Sequence, residues 1–438
     1  MKFRLAPLLA ALSAAVPTAA LCAAIAGAPS PEAGPQRPAW LSDASVSVGL
    51  VHDSSVFGVQ AEQAAHPGFA DRSAWVTTVG PRLTLDLRPL LGVGSGGPLR
   101  SFTAGYVGSY SFFDHVSGED NAKHTLVLGL KASESGWSLA LDNSLLFVDG
   151  GREGPFYSTY SAFSSALPRE RRRQIQERPK LSLRRDFGPA FVRAVAAAAT
   201  YDLLVDRHNP VGAYRGYVNF VDRSDANAGL DLGYRAGSDR AYFVGWRVGR
   251  QLQARLPWGG THSDNTYNRL LAGFEGKLLS WLSGSALVGP DFRRYTDAAN
   301  RGIAGADHTW LYAEGSLSAR IAAGDSLSAT TKVWHWVSGT GSTSYQDATY
   351  ALTWKHAVGK RLSLEPGVKF LASKYDYPAV RNDQAWALSC EAACALSRRC
   401  TISASYSWFQ SRSRIPEAIA PGRGVDLDVA SVSVKWAL

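Results

Sequence analysis

The sequence predicts an all-β fold, a transmembrane antiparallel up-and-down β-barrel of about 18 strands, with 16 strands as the alternative. Three observations predict it. Segments of roughly ten residues with alternating apolar and polar side chains recur along the chain, the connections between them alternate between long and short, and the last segment runs to the final residue. The abundance of aromatic residues and glycine suits a wall whose alternate residues face lipid and water.

The N-terminal region is predicted to be a targeting segment. Lys2 and Arg4 precede an apolar stretch, Leu5–Val16, which small residues follow. This order is typical of a secretory signal peptide, so the mature chain is predicted to be exported. We assign residues 1–26 to the signal peptide, residues 27–43 to a proline-containing periplasmic lead-in, and residues 44–438 to the barrel.

The predicted strands are bounded by turn residues and differ in the length of the connection that follows. Short connections such as Gly188-Pro189 alternate with long ones such as 149–173. In bacterial barrels the short turns are periplasmic and the long loops extracellular. A soluble β-sandwich or propeller, the main structural alternative, has no reason to alternate so regularly. The strands are predicted near 44–52, 73–88, 100–113, 123–133, 137–148, 174–186, 190–204, 225–236, 240–251, 266–278, 281–293, 308–322, 326–337, 345–358, 361–374, 384–396, 399–411 and 426–438.

The last predicted strand has two chemically distinct faces. Ser431, Ser433 and Lys435 share the polar face. The apolar face carries Ala430, Val432, Val434, Trp436 and Leu438. This ending resembles the terminal strand of Gram-negative outer-membrane barrels, which usually ends on Phe or Trp. The resemblance implies that Trp436 and Leu438 form an assembly signal and that the barrel assembly machinery is a partner.

The first predicted strand adds a resemblance to one family. Ser45–Gly58 resembles the start of the β-barrel porin-2 type of outer-membrane protein, with Asp53–Phe57 in place of an acidic and Asn-rich turn. The run Arg169–Gln174 is similar to uncharacterised members. The resemblance implies location in the bacterial outer membrane and a pore, and it brings no known substrate.

The polar face of the predicted strands is charged and more basic than acidic. Acidic residues on it include Asp86, Asp142, Asp231 and Glu275. Rings of basic side chains favour anions in a channel, whereas charges that pair across strands would only fill the lumen. Both interpretations stay open. The predicted pore-lining residues are Arg82, Lys131, Arg184, Arg235, Arg247, Arg269, Lys277, Glu314, Arg320, Lys355, Glu365 and Lys369.

The longest predicted loop, 149–173, is a candidate constriction. A loop of this length could fold inward and narrow the pore, as the corresponding loop of general porins does. It ends in a basic run formed by Arg169, Arg171, Arg172 and Arg173. The alternative is a surface loop whose arginines bind lipopolysaccharide phosphate or pair with nearby glutamates.

One predicted hairpin carries four aromatic residues, Trp310, Tyr312, Trp334 and Trp336. Strict alternation would line the outer mouth with them, where they could stack on sugar rings. The favoured alternative is a bulge that turns them outward into the aromatic girdle at the membrane interface.

Three cysteines follow the signal peptide, Cys390, Cys394 and Cys400. Cys394 and Cys400 could pair across a three-residue turn, but antiparallel neighbours often have poor disulfide geometry, and free thiols facing lipid are the alternative. No metal site or cofactor is predicted, because the cysteines have no His or carboxylate on their face.

The formal net charge of +9 limits the partners. Outer-membrane lipid and anionic lipopolysaccharide suit an exported basic barrel, whereas nucleic acid does not, because no compact basic and aromatic module is present. The predicted function is passive diffusion of small hydrophilic solutes with a weak preference for anions. The alternatives are a structural or adhesion barrel with a lumen blocked by its loops, or an outer-membrane barrel enzyme. We predict that the chain is not an enzyme, since no acid/base pair or phosphate loop stands out.

Overall fold

The chain forms one closed sheet that curls into a barrel. The computed structural model describes residues 38–56, 73–94, 96–150, 173–204, 222–254, 263–296, 307–337, 344–375, 381–414 and 425–438. Consecutive strands pair antiparallel throughout, and the last strand pairs with the first. Closure is what makes this sheet viable in lipid, because an open edge would leave backbone groups without hydrogen-bond partners.

The strands are 5 to 15 residues long, and two 3-10 helices, Pro89–Leu91 and Ser117–Glu119, lie between them. In chain order the strands are β1 Leu41–Asp53, β2 Ala74–Asp86, β3 Leu99–Phe113, β4 Asn121–Glu134, β5 Trp137–Asp149, β6 Arg173–Glu177, β7 Lys180–Phe187, β8 Ala190–Leu203, β9 Arg223–Arg235, β10 Arg240–Gln253, β11 Asn265–Leu279, β12 Leu282–Tyr295, β13 Thr309–Ala322, β14 Asp325–Val337, β15 Ser344–Val358, β16 Leu362–Tyr375, β17 Arg381–Ala395, β18 Cys400–Arg414 and β19 Val425–Ala437.

Strands β6 and β7 together occupy one position in the barrel. Both pair with β5 and both pair with β8, and the register is continuous across the break. The break falls at Arg178-Pro179, where proline has no N–H to give to the ladder. The barrel therefore has 18 strands in space, which confirms the predicted fold class and strand number.

The two ends of the barrel differ in the length of their connections. At one end, turns such as Ser135-Gly136 and Gly188-Pro189 contain two residues. At the other end, the strands are joined by segments such as 54–73, 150–172 and 204–222. By the rule for bacterial barrels, the first end is periplasmic and the second extracellular.

The two faces of the wall differ in chemistry, as β10 shows. Val244, Trp246 and Val248 point outward with 44–62% of their surface exposed. Arg247 and Gln251 alternate with them and are buried on the inner face. Large exposed apolar side chains recur on the outer face of the other strands, which gives the barrel the apolar belt of a membrane protein. No helix of the described residues is long and apolar enough to cross a membrane.

Aromatic side chains cover glycines of neighbouring strands on the inner face. A Cβ on Gly233 would lie 2.1 Å from the ring of Phe191, and one on Gly249 would lie 2.3 Å from the ring of Tyr267. Each ring thus occupies the space that a side chain of the next strand would need. The glycines let large rings lie close to the wall and not project into the lumen.

The predicted cysteine pair does not form. Cys394 lies in register with Ile402, whereas Cys400 lies in register with Trp436. Cys400 is a free thiol, as is Cys390. The turn between β17 and β18 spans four residues and not the expected three, which shifts the register and separates the two cysteines.

We predict that deletion of Trp436–Leu438 prevents barrel closure. The backbone N–H of Leu438 donates to the carbonyl of Ala44 at 2.9 Å, and Trp436 pairs in register with Val46 at the seam between β19 and β1. On a denaturing gel, unheated folded barrel migrates differently from heated, unfolded protein. The truncated chain should show little of the folded form. Leu438→Phe, which keeps the backbone and supplies a terminal aromatic ring, is the control and should fold normally. Assembly of the truncated chain at the unmodified rate would contradict the prediction.

Candidate functional site

The inner face of strands β7 to β12 carries a set of arginines that we call the arginine wall. Each of them lies within 3.5 Å of at least one carboxylate oxygen. The three nearest the extracellular half of the set are buried, with 4–8% exposure. The arginine wall consists of Arg184, Arg193, Arg235, Arg247, Arg269 and Arg293.

Asp231 of β9 holds the periplasmic part of the arginine wall together. Its side chain has no solvent exposure. One carboxylate oxygen lies 2.8 Å from Nε of Arg193, and the other lies 2.6 Å from Nη1 of Arg247. Arg193 also contacts Glu275 of β11 at 2.8 Å. These contacts link four consecutive strands through side chains as well as through the backbone.

Asp291 of β12 plays the same part nearer the extracellular end. It is fully buried and lies 3.0 Å from Nε of Arg269 and 2.8 Å from Nη2 of Arg293. Arg293 also donates hydrogen bonds to the amide oxygens of Gln251 at 2.8 Å and Asn265 at 2.9 Å. A buried guanidinium with this many acceptors is held in one orientation.

Aromatic rings stack on the flat faces of several guanidinium groups, whose edges contact the carboxylates. The guanidinium carbon of Arg184 lies 3.8 Å from the ring centre of Phe191. That of Arg269 lies between two rings, 4.1 Å from Tyr267 and 4.3 Å from Tyr312. Stacking on a ring desolvates the cation on one side and leaves its edges free for carboxylates. The wall is therefore a packed layer and not a set of flexible chains.

The arginine wall has more positive than negative charge. Its six arginines share four carboxylates, those of Asp186, Asp231, Glu275 and Asp291. Further along the inner face, Arg223 donates to a backbone carbonyl and to a tyrosine hydroxyl. The six arginines of the wall thus lie in ion pairs, and the carboxylates that contact them directly are fewer than the arginines.

The extracellular end of the β14–β15 hairpin bends into the lumen. Pairing of β13 with β14 ends at Ala313 and Val333, while β14 and β15 stay paired as far as Val337 and Ser344. Without a partner on one side, this end crosses toward β10. Trp336 and Val337 are buried there, with 8% and 0% exposure. We call residues 334–337 and 344–345 the inward hairpin.

The inward hairpin is held mainly through its backbone. The carbonyl of His335 accepts from Gln251 at 3.0 Å and from Arg293 at 3.1 Å. The carbonyl of Val337 accepts from Arg223 at 2.8 Å. Trp336 packs beside the ring of Tyr201, with ring centres 5.9 Å apart. The hairpin therefore fills the extracellular half of the lumen on the side of the arginine wall.

The opposite side of the lumen is lined by small hydroxyl side chains. Ser403 and Ser405 of β18 hydrogen-bond to Ser433 and Ser431 of β19 across the strand boundary, at 2.9 and 2.7 Å. Each pair satisfies its hydroxyl hydrogen bonds within the wall, and serine side chains are too short to reach far into the lumen.

Two open cavities lie one above the other along β4. The upper, of about 430 Å³, is bordered by Lys123, Asp53 and Glu119 near the extracellular end. The lower, of about 380 Å³, is bordered by Lys131 and by Arg193 of the arginine wall. Eight residues separate the two lysines, or about 26 Å of strand at about 3.3 Å per residue. The cavities follow the side of the lumen that the inward hairpin leaves free.

The structure places all of the predicted pore-lining residues on the inner face. Some belong to the arginine wall or pair with it, and Lys131 borders the lower cavity. Others lie in ion pairs at the periplasmic end, such as Arg82 with Asp43 at 3.6 Å and Lys277 with Asp239 at 3.9 Å. Glu314 contacts Lys332 at 3.9 Å. The alternation of exposed outer neighbours assigns the same face to Arg320, Lys355, Glu365 and Lys369.

Of the four arginines predicted to lie in the constriction loop, the structure describes one, and for that arginine the prediction is wrong. Arg173 is the first residue of β6 and not part of a loop, and its Nε lies 3.1 Å from Asp149 on the adjacent strand. Burial alternates so that Gln174 and Gln176 point inward, which turns Arg173 outward. Arg169, Arg171 and Arg172 lie outside the described residues.

The favoured girdle position of the four aromatic residues is wrong. Tyr312 and Trp336 are buried inside the barrel, with 8% exposure each. Trp310 lies 4.8 Å from the His335 ring, and Trp334 lies over the Lys332 ammonium at 5.3 Å. Pairing of β13 with β14 ends at Ala313 and Val333, before it reaches these four residues, and the inward bend gives their rings interior partners.

Sequence reasoning missed Arg193, Arg223 and Arg293, which are central to the site. Alternation assigns Arg193 to the inner face of β8, but alanines at 194 and 196–199 follow it on both faces, so the sequence shows little contrast between the faces. Arg223 and Arg293 lie at strand ends, where facing is hardest to assign from the sequence. Among the described residues, no group of three or more His, Cys, Asp or Glu could hold a metal ion.

The sheet is closed and has 18 strands, its outer face is an apolar belt, and its interior is polar. These three features define a β-barrel of the bacterial outer-membrane class. Neither a protein-family model nor a curated protein matches the chain. Solved structures similar to it include OccK1 (OpdK) of Pseudomonas aeruginosa, at 11% identity and a TM-score of 0.41, over 91% of this chain and 99% of that one. OpdO of the same organism matches at 12% identity and a TM-score of 0.40, over 91% and 98%. The ferric citrate transporter FecA matches at 12% identity and a TM-score of 0.36, over 86% of this chain and 61% of its own. The fold assigned above depends on strand pairing and not on these similarities.

We predict that Asp231→Asn destabilises the barrel by about 3–5 kcal/mol, because it removes the fully buried carboxylate that Arg193 shares with the buried Arg247. Unfolding by urea from lipid vesicles, followed by tryptophan fluorescence, measures the loss. Glu314→Gln is the matched control: its ion pair with Lys332 is half exposed, so the expected loss is below about 1 kcal/mol. Equal midpoints for Asp231→Asn and the unsubstituted protein would contradict this role of Asp231.

Proposed function

We propose that the protein is an outer-membrane channel for passive diffusion of small hydrophilic solutes. The observation that carries the proposal is the pair of open cavities stacked along β4 inside a closed barrel. An 18-strand barrel has an interior wide enough for water and small solutes once its side chains are placed. In this chain the inward hairpin and the arginine wall fill one side, and the cavities along β4 stay open.

The lower cavity gives the channel a preference for anions. Four cationic side chains border it, those of Arg100, Lys131, Arg184 and Arg193, and no carboxylate does. The two wall arginines are offset by acidic partners, whereas Arg100 donates to a serine hydroxyl at 2.8 Å. A region of positive potential in a narrow wet passage raises the local concentration of anions.

The inward hairpin is the constricting element of this channel. It is anchored by side chains of β9, β10 and β12 and narrows the extracellular half of the lumen. The interior of the loop 149–173, the constriction predicted from the sequence, lies outside the described residues. A barrel whose lumen is fully blocked is the competing function, and conductance separates the two.

We predict that the refolded protein forms stable conductance steps in a planar bilayer, with a reversal potential of anion sign under a salt gradient. Lys131→Gln should weaken this selectivity. A unit charge about 5 Å from a passing ion contributes about 0.8 kcal/mol in water, so the permeability ratio should change by at most about fourfold.

Lys277→Gln is the matched control for Lys131→Gln. Lys277 is a lysine at the same end of the barrel, but it borders neither of the two cavities, so its loss should leave the reversal potential nearly unchanged. Stable steps of cation sign would overturn the proposed anion preference and keep the channel. Folded, inserted protein without conductance would reject the open channel and favour the blocked barrel.

We predict that Arg223→Ala loosens the inward hairpin and increases single-channel conductance. A hydrogen bond from a charged donor contributes about 1.5–3 kcal/mol, so its loss should raise the detached population by about 10- to 150-fold. Frequent transitions to a larger conductance level are the expected record.

Arg178→Ala is the control for this effect. Both arginines stack on the Tyr201 ring, at 5.4 Å for Arg178 and 4.8 Å for Arg223, but the hydrogen bonds of Arg178 go to Gln176 and Tyr201 and not to the hairpin. Conductance that rises equally in both variants, or in neither, would argue against the hairpin as the constricting element.

A further inference from the structure

The outer face of the barrel carries two arginines near its extracellular end, on the strands that flank β11. Arg250 of β10 and Arg294 of β12 lie in register with the same residue, Thr266 of β11. Neighbouring strands are about 4.8 Å apart, so the two arginine backbones are about 10 Å apart. Both side chains are exposed. The pair therefore brackets a threonine hydroxyl on an otherwise apolar surface.

Neither of these guanidinium groups has an acidic partner among the described residues. This separates them from the inner-face arginines of the same strands, which contact carboxylates at 2.6–3.0 Å. It also separates them from other outer-face arginines at the extracellular end. Arg412 lies 3.0 Å from Asp426, and Arg173 lies 3.1 Å from Asp149. Two uncompensated positive charges are thus concentrated on β10 to β12.

The pair lies directly above the apolar belt. The next row toward the periplasm is Val248, Asn268 and Phe292, in register across the same three strands. Below it come Trp246 and Leu270, which are 46% and 55% exposed. Large apolar side chains that end at a polar row mark the boundary between the hydrocarbon and the headgroups. The two guanidinium groups are therefore at the level of the lipid headgroups of the outer leaflet.

We propose that Arg250 and Arg294 form a binding site for the phosphate groups of lipopolysaccharide. Guanidinium binds phosphate through paired, charge-assisted hydrogen bonds. A headgroup that carries more than one phosphate on a sugar scaffold can contact two cations about 10 Å apart at once. The Thr266 hydroxyl and the Asn268 amide lie between and below the arginines, where they can bond to the sugar. This proposal depends on the outer-membrane location that the proposed function assumes, but it does not depend on whether the barrel conducts ions.

The test compares binding of two lipids to the detergent-solubilised barrel, purified rough lipopolysaccharide and the same lipid after enzymatic removal of its phosphates. Native mass spectrometry counts the bound lipids and ranks their affinities. The unsubstituted protein should bind the phosphorylated lipid in preference. Arg250→Gln with Arg294→Gln should weaken that binding by about thirtyfold, and each single variant by about fivefold. Arg412→Gln removes an exposed arginine whose charge is already offset, and should change binding little.

Two results would overturn the site. One is equal binding of both lipids by the unsubstituted protein, which needs no variant and so does not depend on how a variant folds. The other is unchanged binding of the phosphorylated lipid by the double variant. The double variant should also keep its conductance, because both side chains lie outside the lumen. Normal conductance without selective lipid binding would therefore reject the lipid site and keep the channel. Normal lipid binding without conductance would reject the channel and keep the lipid site.

Discussion

The structure depends on the requirement that every backbone N–H and C=O in lipid has a partner. This requirement closes β19 onto β1 and fixes an 18-strand circumference. A circle of that size encloses more space than inward side chains of ordinary length fill. The interior of the barrel must therefore be partly filled, and the two sides of the lumen are filled by different kinds of side chain.

On one side the interior is packed almost as a soluble protein core is packed, but with charged residues. Buried carboxylates such as Asp231 and Asp291 each serve two arginines, and rings such as that of Tyr267 cover the guanidinium groups and the glycines of adjacent strands. Ions in such a layer are costly unless each has partners, so the layer is rigid once formed. On the other side, short serine side chains bond to one another and leave room. The two cavities lie between these sides, along β4, and the lower one borders Arg193 of the arginine wall.

The sequence predicted the wall of the barrel well and its interior less well. Alternation with period two sets the facing of Arg247 and Arg269, because the lipid side tolerates few charges and the signal is repeated along every strand. The single wall position of β6 and β7 was also predictable, since a proline breaks a ladder without shifting the register. The inward hairpin could not be predicted, because β13 and β14 carry no local signal that their pairing stops at Val333. Its aromatic residues therefore looked like a lipid girdle. The site residues missed at strand ends share this cause, for they are positioned by contacts across the lumen and not by neighbours along the strand.

The anchoring of the inward hairpin has an evolutionary consequence. Its carbonyls at His335 and Val337 accept hydrogen bonds from Gln251, Arg293 and Arg223, and the Tyr345 hydroxyl accepts a second one from Arg223. Every amino acid brings the same carbonyl, so these two positions can change identity without loss of those bonds. Replacement of other described side chains of the hairpin would change the lumen beside it while these backbone hydrogen bonds persist. Such a barrel can acquire a new solute preference through substitutions at a few positions, because strand pairing and the buried ion pairs supply its stability.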